Sequence, residues 1–237
     1  MRRPSPSLPL PPASCALASS GADFLEVGFV KGTFGVYYKP VEGAFYTVLL
    51  PIYKGAIALN TAGERFVDES QSYKTLGAAC LEQDRVLAFQ VFDAAIMAQS
   101  ADNTPSMNFR KSAEEGRVIS APTLAGLAAM LDLPADKVAA SVARYNADIA
   151  AGGVDKLDAL TRILEAEPFY AYPTTTAVNS TYAGLRVDTD MAVLDVWGER
   201  LEGLYAAGEV TGGFHGEAYM TGSSLLKALV CGGVAGR

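Results

Sequence analysis

Between a short β-type run, GLYAAGE, and an apolar stretch, LLKALVCGGVAG, the chain carries a glycine-rich loop, Gly208 to Gly222, that begins G-E-V-T-G-G-F-H-G. Glycine has no Cβ, so the backbone N–H groups of such a loop can come close to a flat or charged ligand. The amides near Gly222 to Leu225, at the start of the following helix, would carry the positive end of its dipole. His215, the one histidine of the chain, lies inside the loop, either facing a ligand or serving as a structural histidine. Spacing alone leaves a second reading equally open: a tight β-to-α connection with no ligand. The three cysteines, Cys15, Cys80 and Cys231, lie far apart. A four-ligand zinc site would need almost all of them together with His215, so neither a metal nor a disulfide framework is expected.

The elements that must hold this loop can be read on either side of it. The bursts FVKGTFGVYY and FYTVLLPIY, between Phe24 and Leu59, predict short strands with Gly and Pro at the turns. The middle, from about Gly77 to Ala151, is alanine-rich and predicts helices. Thr123 is placed as the N-cap of a short helix to Leu131, and Pro134 as a first-turn proline. Val138, Val142, Tyr145 and Ile149 recur at helical spacing and form one apolar core stripe, with Gly152-Gly153 as the stop. From Thr174 onward, LRVD, AVLDVWG and GLYAAGE read as strands, and the apolar stretch after the loop reads as a buried helix. The first 20 residues contain five prolines and read as a disordered Pro/Ser leader.

Half the residues are hydrophobic and 19% are charged, over 237 residues, which is the composition of a globular protein of one or two domains. A net charge of −7 argues against nucleic acid as a partner. There is no run of 18 apolar residues, so no membrane span is expected. The sparse cysteines suit a cytoplasmic protein.

The run GLYAAGEVTGGFHGEAYMTGSSLLKALVCGGVAGR resembles the C-terminal FAD-binding segment of the flavoprotein family that contains soluble fumarate reductases, urocanate reductases and 3-ketosteroid dehydrogenases. Asn60 to Glu69, NTAGERFVDE, resembles the N-x-x-G-x-R-F-x-x-E signature of that family's substrate-capping domain. TLAGLAAMLDLPADKVAASVARYNADIAAG, PFYAYP and AGLRVD follow in the family's order, so the resemblance runs from about Gly21 to Arg237. It implies an α+β fold class: a capping domain of the succinate dehydrogenase/fumarate reductase flavoprotein type at residues 46–173, with a partial Rossmann-like FAD-binding domain at 21–45 and 174–237.

The resemblance also implies FAD as cofactor, bound at Ala207, Gly208, Glu209, Gly222, Ser223, Ser224 and Leu225. Glu209 would contact ribityl or ribose hydroxyls, and the backbone from Gly222 to Leu225 would face the flavin pyrimidine edge. It places His215 beside the flavin ring, with a structural histidine as the other reading. Tyr219 stands where fumarate reductases carry a substrate-binding arginine, either hydrogen-bonding a carbonyl or packing. Arg65 and Glu69 form either a buried pair that fixes the cap or a proton path to the substrate.

Departures from the family pattern narrow the function. These residues contain no G-x-G-x-x-G turn for the ADP pyrophosphate, so weak FAD binding or none, and an exposed apolar face, are expected of them alone. The segment resembling V-F-D-x-x-x-R ends in Met97 instead of arginine, with Arg85 or Arg110 as alternative occupants of that space. Asn179 and Ser180 replace paired histidines. The implied activity is hydride transfer between flavin and an activated carbon–carbon bond of a small, weakly charged substrate such as an enone or a steroid-like ketone, with the electron partner unspecified. The alternatives are a non-catalytic remnant that needs a partner chain, or a cofactor-free binding module.

Overall fold

The computed structural model describes residues 21–39, 47–151, 164–216, 220 and 222–237. The leader, Tyr219 and Gly152-Gly153 therefore lie outside the described residues. The chain divides into two compact units, Gly32–Ala177 and a smaller one formed by the residues up to Lys31 with Val178–Arg237. In chain order the strands are β1 (Phe24–Leu25), β2 (Val30–Tyr37), β3 (Ile57–Asn60), β4 (Ala88–Asp93), β5 (Ile119–Ala121), β6 (Phe169–Thr181), β7 (Gly184–Leu185), β8 (Ala192–Leu194) and β9 (Arg200–Tyr205). The α-helices are α1 (Tyr73–Leu81), α2 (Ala94–Met97), α3 (Phe109–Glu114), α4 (Leu124–Met130), α5 (Ala135–Ala150) and α6 (Ser223–Ala235). The architecture is a mixture of helix and sheet.

The larger unit is built on a sheet of order β2-β6-β4-β3, with β5 pairing β6 as well. β4 is antiparallel to both neighbours, Ala58 opposite Gln90 on one side and Ala171 opposite Val91 on the other. All six residues of β4 are buried. Its one neutral polar side chain, Gln90, is satisfied, accepting from the Ile52 amide at 3.3 Å and donating to the Leu49 carbonyl at 2.9 Å. This corrects the expectation of a helical middle, because β4 and β5 fall between Gly77 and Ala151. AFQVF is short and apolar throughout, and periodicity cannot separate a buried strand from a buried helix there. The end of FYTVLLPIY likewise forms a 3₁₀ turn, Pro51–Lys54, where proline opens the turn and Gly55 closes it at φ +104°.

The helices follow their local signals. Thr123 caps α4, its side chain accepting from the Gly126 amide at 3.1 Å. In α5, Val138, Val142 and Tyr145 are buried and Ile149 packs against the same core. Pro134 is the N-cap of α5 rather than a residue of its first turn, and the helix ends at Ala150 with Ala151 as its C-cap.

The smaller unit has two short antiparallel pairs, β1 with β7 and β8 with β9, around a small core of Ala22, Leu185, Val193 and Ala206. Gly184 is required by a close approach. A Cβ there would lie 2.4 Å from both the Gly212 nitrogen and the Thr211 carbonyl carbon, so the glycine loop packs directly on the β7 backbone. Helix α6 forms as expected but is not buried. Leu225, Leu226, Leu229 and Val230 are each more than half exposed, whereas Lys227 and Cys231 face inward. Among the described residues, no helix is long and apolar enough to cross a membrane.

Candidate functional site

Within the smaller unit, β9 runs through Ala206 and Ala207 into a 3₁₀ turn, Gly208–Val210, with Gly208 at φ +76°. The positive φ redirects the chain at the point where Glu209 must leave the strand. After the loop, Gly222 at φ +91° serves as the N-cap of α6 without any side-chain capping bond. The Ser223 amide donates to the Met220 carbonyl at 3.1 Å, and the next first-turn amides of α6, those of Ser224 and Leu225, have neither an intrahelical acceptor nor a capping side chain from Gly222.

A pocket of about 440 Å³ opens beside these elements. Among its lining residues are Lys31, Tyr182, Glu209, His215, Ser224 and Lys227. Ser180 donates to Glu209 Oε1 at 2.5 Å, leaving Oε2 on the other side of the carboxylate. The His215 and Tyr182 rings lie 5.6 Å apart at 53°. Lys227 is only 9% exposed, and its ammonium donates to the Thr211 carbonyl at 2.6 Å while sitting 4.6 Å from the centre of the Phe214 ring. Burial pulls its pKa below the usual lysine range, against the raising influence of Cys231, Glu26 and Glu209.

Five residues singled out from the sequence, Ser180, Glu209, His215, Ser224 and Leu225, line this one pocket. Ala207, Gly208, Gly222 and Ser223 form the turn and the helix start next to them. Lys227 gave no chemical signal in the sequence. The available hint was a single charge in an apolar helix, four residues before Cys231 and so on the same face. The loop amides also differ from expectation. Gly213 and Gly216 donate to the Glu26 carboxylate and Ser223 donates to the Met220 carbonyl at 3.1 Å, so these three N–H groups are already engaged.

Arg65 and Glu69 belong to the larger unit. Asn60 closes the turn that presents them, its side chain accepting from the Ala62 and Glu64 amides at 3.0 Å each, with Gly63 at φ +75°. Glu69 is buried and accepts from Arg65 Nε at 2.8 and 2.9 Å, from Arg65 Nη2, and from the Ala58 amide of β3 at 2.9 Å. The Arg65 guanidinium stacks 5.2 Å from the centre of the Tyr145 ring. Burial works to lower the Arg65 pKa, but hydrogen bonding and charge from Glu69 outweigh it and raise the group above its ordinary value. One face of Arg65 lines a separate cleft of about 620 Å³ with Lys137, Arg144 and Asp148.

In the V-F-D segment, Asp93 is wholly buried and structural. It caps α2 through the Ile96 amide at 3.0 Å and accepts from the Glu165 and Ala166 amides at 3.3 and 3.1 Å. Met97 packs on the core. Arg85 pairs with Asp84 on the surface, and Arg110 donates to the Ser100 carbonyl.

A glycine turn leading from a strand into an uncapped helix N-terminus, beside a pocket holding a buried ammonium, is the layout of a protein that binds a nucleotide-type cofactor. The profile of the FAD binding domain family matches residues 52–225, and the chain belongs to that family, whose cofactor is FAD. It is 34% identical over 92% of its length to an NADH:acrylate oxidoreductase from Vibrio harveyi, and 30% identical over 77% to a fumarate reductase (cytochrome) from Shewanella frigidimarina. It spans only 21% and 31% of those two relatives. A 3-ketosteroid Δ1-dehydrogenase from Sterolibacterium denitrificans, solved with 1,4-androstadiene-3,17-dione, superposes with a TM-score of 0.77. That match covers 93% of this chain and 45% of the other, and at 24% identity the likeness is one of fold.

Proposed function

We propose that these residues form the capping part and a partial Rossmann-like FAD-binding part of an oxidoreductase acting on an activated carbon–carbon bond. The observation that carries this is the pocket in which Glu209, His215, Ser224 and Lys227 meet the start of α6. Its donor set suits a flavin. A buried ammonium and the uncapped amides of a helix N-terminus match an acceptor-rich edge that becomes anionic on reduction. The flavin, when bound, supplies hydride exchange with the substrate carbon.

The chain's own residues then have definite tasks. Ser180 holds one oxygen of Glu209, so the other accepts from a ribityl or ribose hydroxyl. Lys227 and the amides of Ser224 and Leu225 favour negative charge at the pyrimidine edge. His215, packed against Tyr182, flanks the ring. Arg65 and Glu69 act as the buried pair that fixes the cap rather than as a proton path, since Glu69 is spent on Arg65 and the Ala58 amide. The substrate is weakly charged. Met97 in place of arginine, Asn179 and Ser180 in place of histidines, and Tyr219 in place of a second arginine each remove a charge-assisted contact of about 1.5–3 kcal/mol to a dicarboxylate. The Vibrio relative named for acrylate, a monocarboxylate, fits that direction. A second reading, a part that needs another chain to complete it, is favoured by the exposed leucines of α6.

Titration of FAD into the purified chain, followed by flavin fluorescence, tests the pocket. Weak binding is expected, and Glu209→Ala should weaken it about tenfold further, the effect of losing one charge-assisted hydrogen bond. Binding unchanged by Glu209→Ala would overturn the assignment. A complete homologue with the same replacements should not reduce fumarate with reduced viologen. Turnover at about 1–1000 per second would overturn the substrate class.

A further inference from the structure

Glu26 lies in the turn after β1 at φ +58°, a left-handed backbone that glutamate seldom adopts. Its two carboxylate oxygens each take a different amide of the glycine loop: Oε2 accepts from Gly213 at 3.0 Å and Oε1 from Gly216 at 2.8 Å. These amides bracket Phe214 and His215. Gly213 and Gly216 are both at positive φ, at +81° and +57°, a backbone that glycine adopts without a steric penalty and that here turns both N–H groups toward one carboxylate. The same turn supports the other side of His215. The Glu26 backbone carbonyl accepts from the Phe29 amide at 3.1 Å, the Phe29 carbonyl accepts from the Tyr182 amide at 3.0 Å, and the Tyr182 ring packs on the imidazole.

We propose that Glu26 is a positioning residue whose carboxylate clasps the Gly213 and Gly216 amides and thereby fixes where His215 projects beside the pocket. A loop containing Gly212, Gly213 and Gly216 has many accessible conformations, and two charge-assisted bonds from one rigidly placed carboxylate select a single one. An anionic group of a ligand is thereby kept off these two amides and directed to the α6 first turn and Lys227. This inference rests on the reading of His215 as a pocket residue, but its test needs no cofactor.

The chain has a single histidine, so one imidazole Cε1–H resonance reports the loop, and amide hydrogen exchange reports Gly213 and Gly216 directly. The variant is Glu26→Gln in the full chain. Glutamine keeps the shape and one acceptor but sets an NH₂ group against the second amide. One of the two glycine amides should exchange at least about tenfold faster while the other stays protected, and the His215 resonance should move. The amides of Asp23 and Arg186, bonded at 2.9 Å to Leu194 and Asp23 in the same unit, should not change. Glu26→Ala should release both glycine amides. Two results overturn the clasp: Glu26→Gln leaving both amides and the His215 resonance as in wild type, or Glu26→Gln releasing Asp23 and Arg186 as well. The second would show that Glu26 holds the whole unit. FAD binding unchanged by Glu209→Ala with the clasp intact would sink the pocket reading alone.

Discussion

Replacing Glu69 by glutamine separates the two roles open to the Arg65–Glu69 pair. The Glu69 side chain is 0% exposed and accepts from Arg65 and from the Ala58 amide. Glutamine retains one oxygen, enough for Ala58, and turns its NH₂ toward a guanidinium that can only donate. Breaking a buried pair by removing one charge typically costs about 3–5 kcal/mol. Arg65 keeps 22% of its side-chain exposure, so partial hydration puts the expected loss near the lower end, about 3 kcal/mol. In the double variant Arg65→Met/Glu69→Leu both charges disappear together, and the remaining penalty is the orphaned Ala58 amide, about 1–3 kcal/mol. Urea unfolding at pH 7, followed by circular dichroism, should rank wild type above the double variant, and the double variant level with or above Glu69→Gln. A Glu69→Gln protein within about 0.5 kcal/mol of wild type would refute the structural reading and leave the proton path.

Gly184→Ala should destabilise the protein by about 3 kcal/mol, the upper end for overpacking, because the new methyl meets immovable backbone. Gly116→Ala, at φ +72° with open space around it, should lose only about 1–2 kcal/mol in the same thermal or urea melts, and equal losses would refute the packing argument. Lys227→Met should leave the melting temperature of the cofactor-free chain unchanged or raised, since among the described residues no carboxylate lies within salt-bridge reach of this buried ammonium, yet it should weaken FAD binding. A large drop in melting temperature would show that the Thr211 bond dominates. The Asp188 carboxyl is lowered below its ordinary pKa. Desolvation acts to raise it but is outweighed by the Ala192 and Asp190 amides and by Arg200. A folded pKa below the unfolded one gives stability above about pH 4 that is lost as pH falls through the folded value, so Asp188→Asn should flatten the acid limb of a stability–pH curve. An unaltered limb would contradict this.

Local signals read well where one short segment decides the outcome. Thr123 capped α4 because its hydroxyl needs only the amide three residues on, and the α5 stripe is buried because helical spacing alone puts Val138, Val142 and Tyr145 on one side. The strand, glycine turn and helix from Leu204 onward were equally plain. Where burial comes from distant residues, the pattern misled. AFQVF lies among alanine-rich helices in sequence but is a strand, because β3 and β6 supply its partners on both edges. The apolar run of α6 looked buried, yet its leucines are exposed and its lysine faces inward.

By itself, then, the sequence determined the family, through several motifs in a set order, and the positions of glycines that the backbone needs at Gly63, Gly208 and Gly222. Only the tertiary structure decided which groups meet. Glu26 reaches Gly213 and Gly216 across 187 and 190 residues of chain, and Ser180 reaches Glu209 across 29. The physical reason is that hydrogen-bond partners and desolvation are properties of neighbours in space. A carboxylate or an ammonium looks the same in the sequence whether it ends in water, on a glycine amide or inside a pocket.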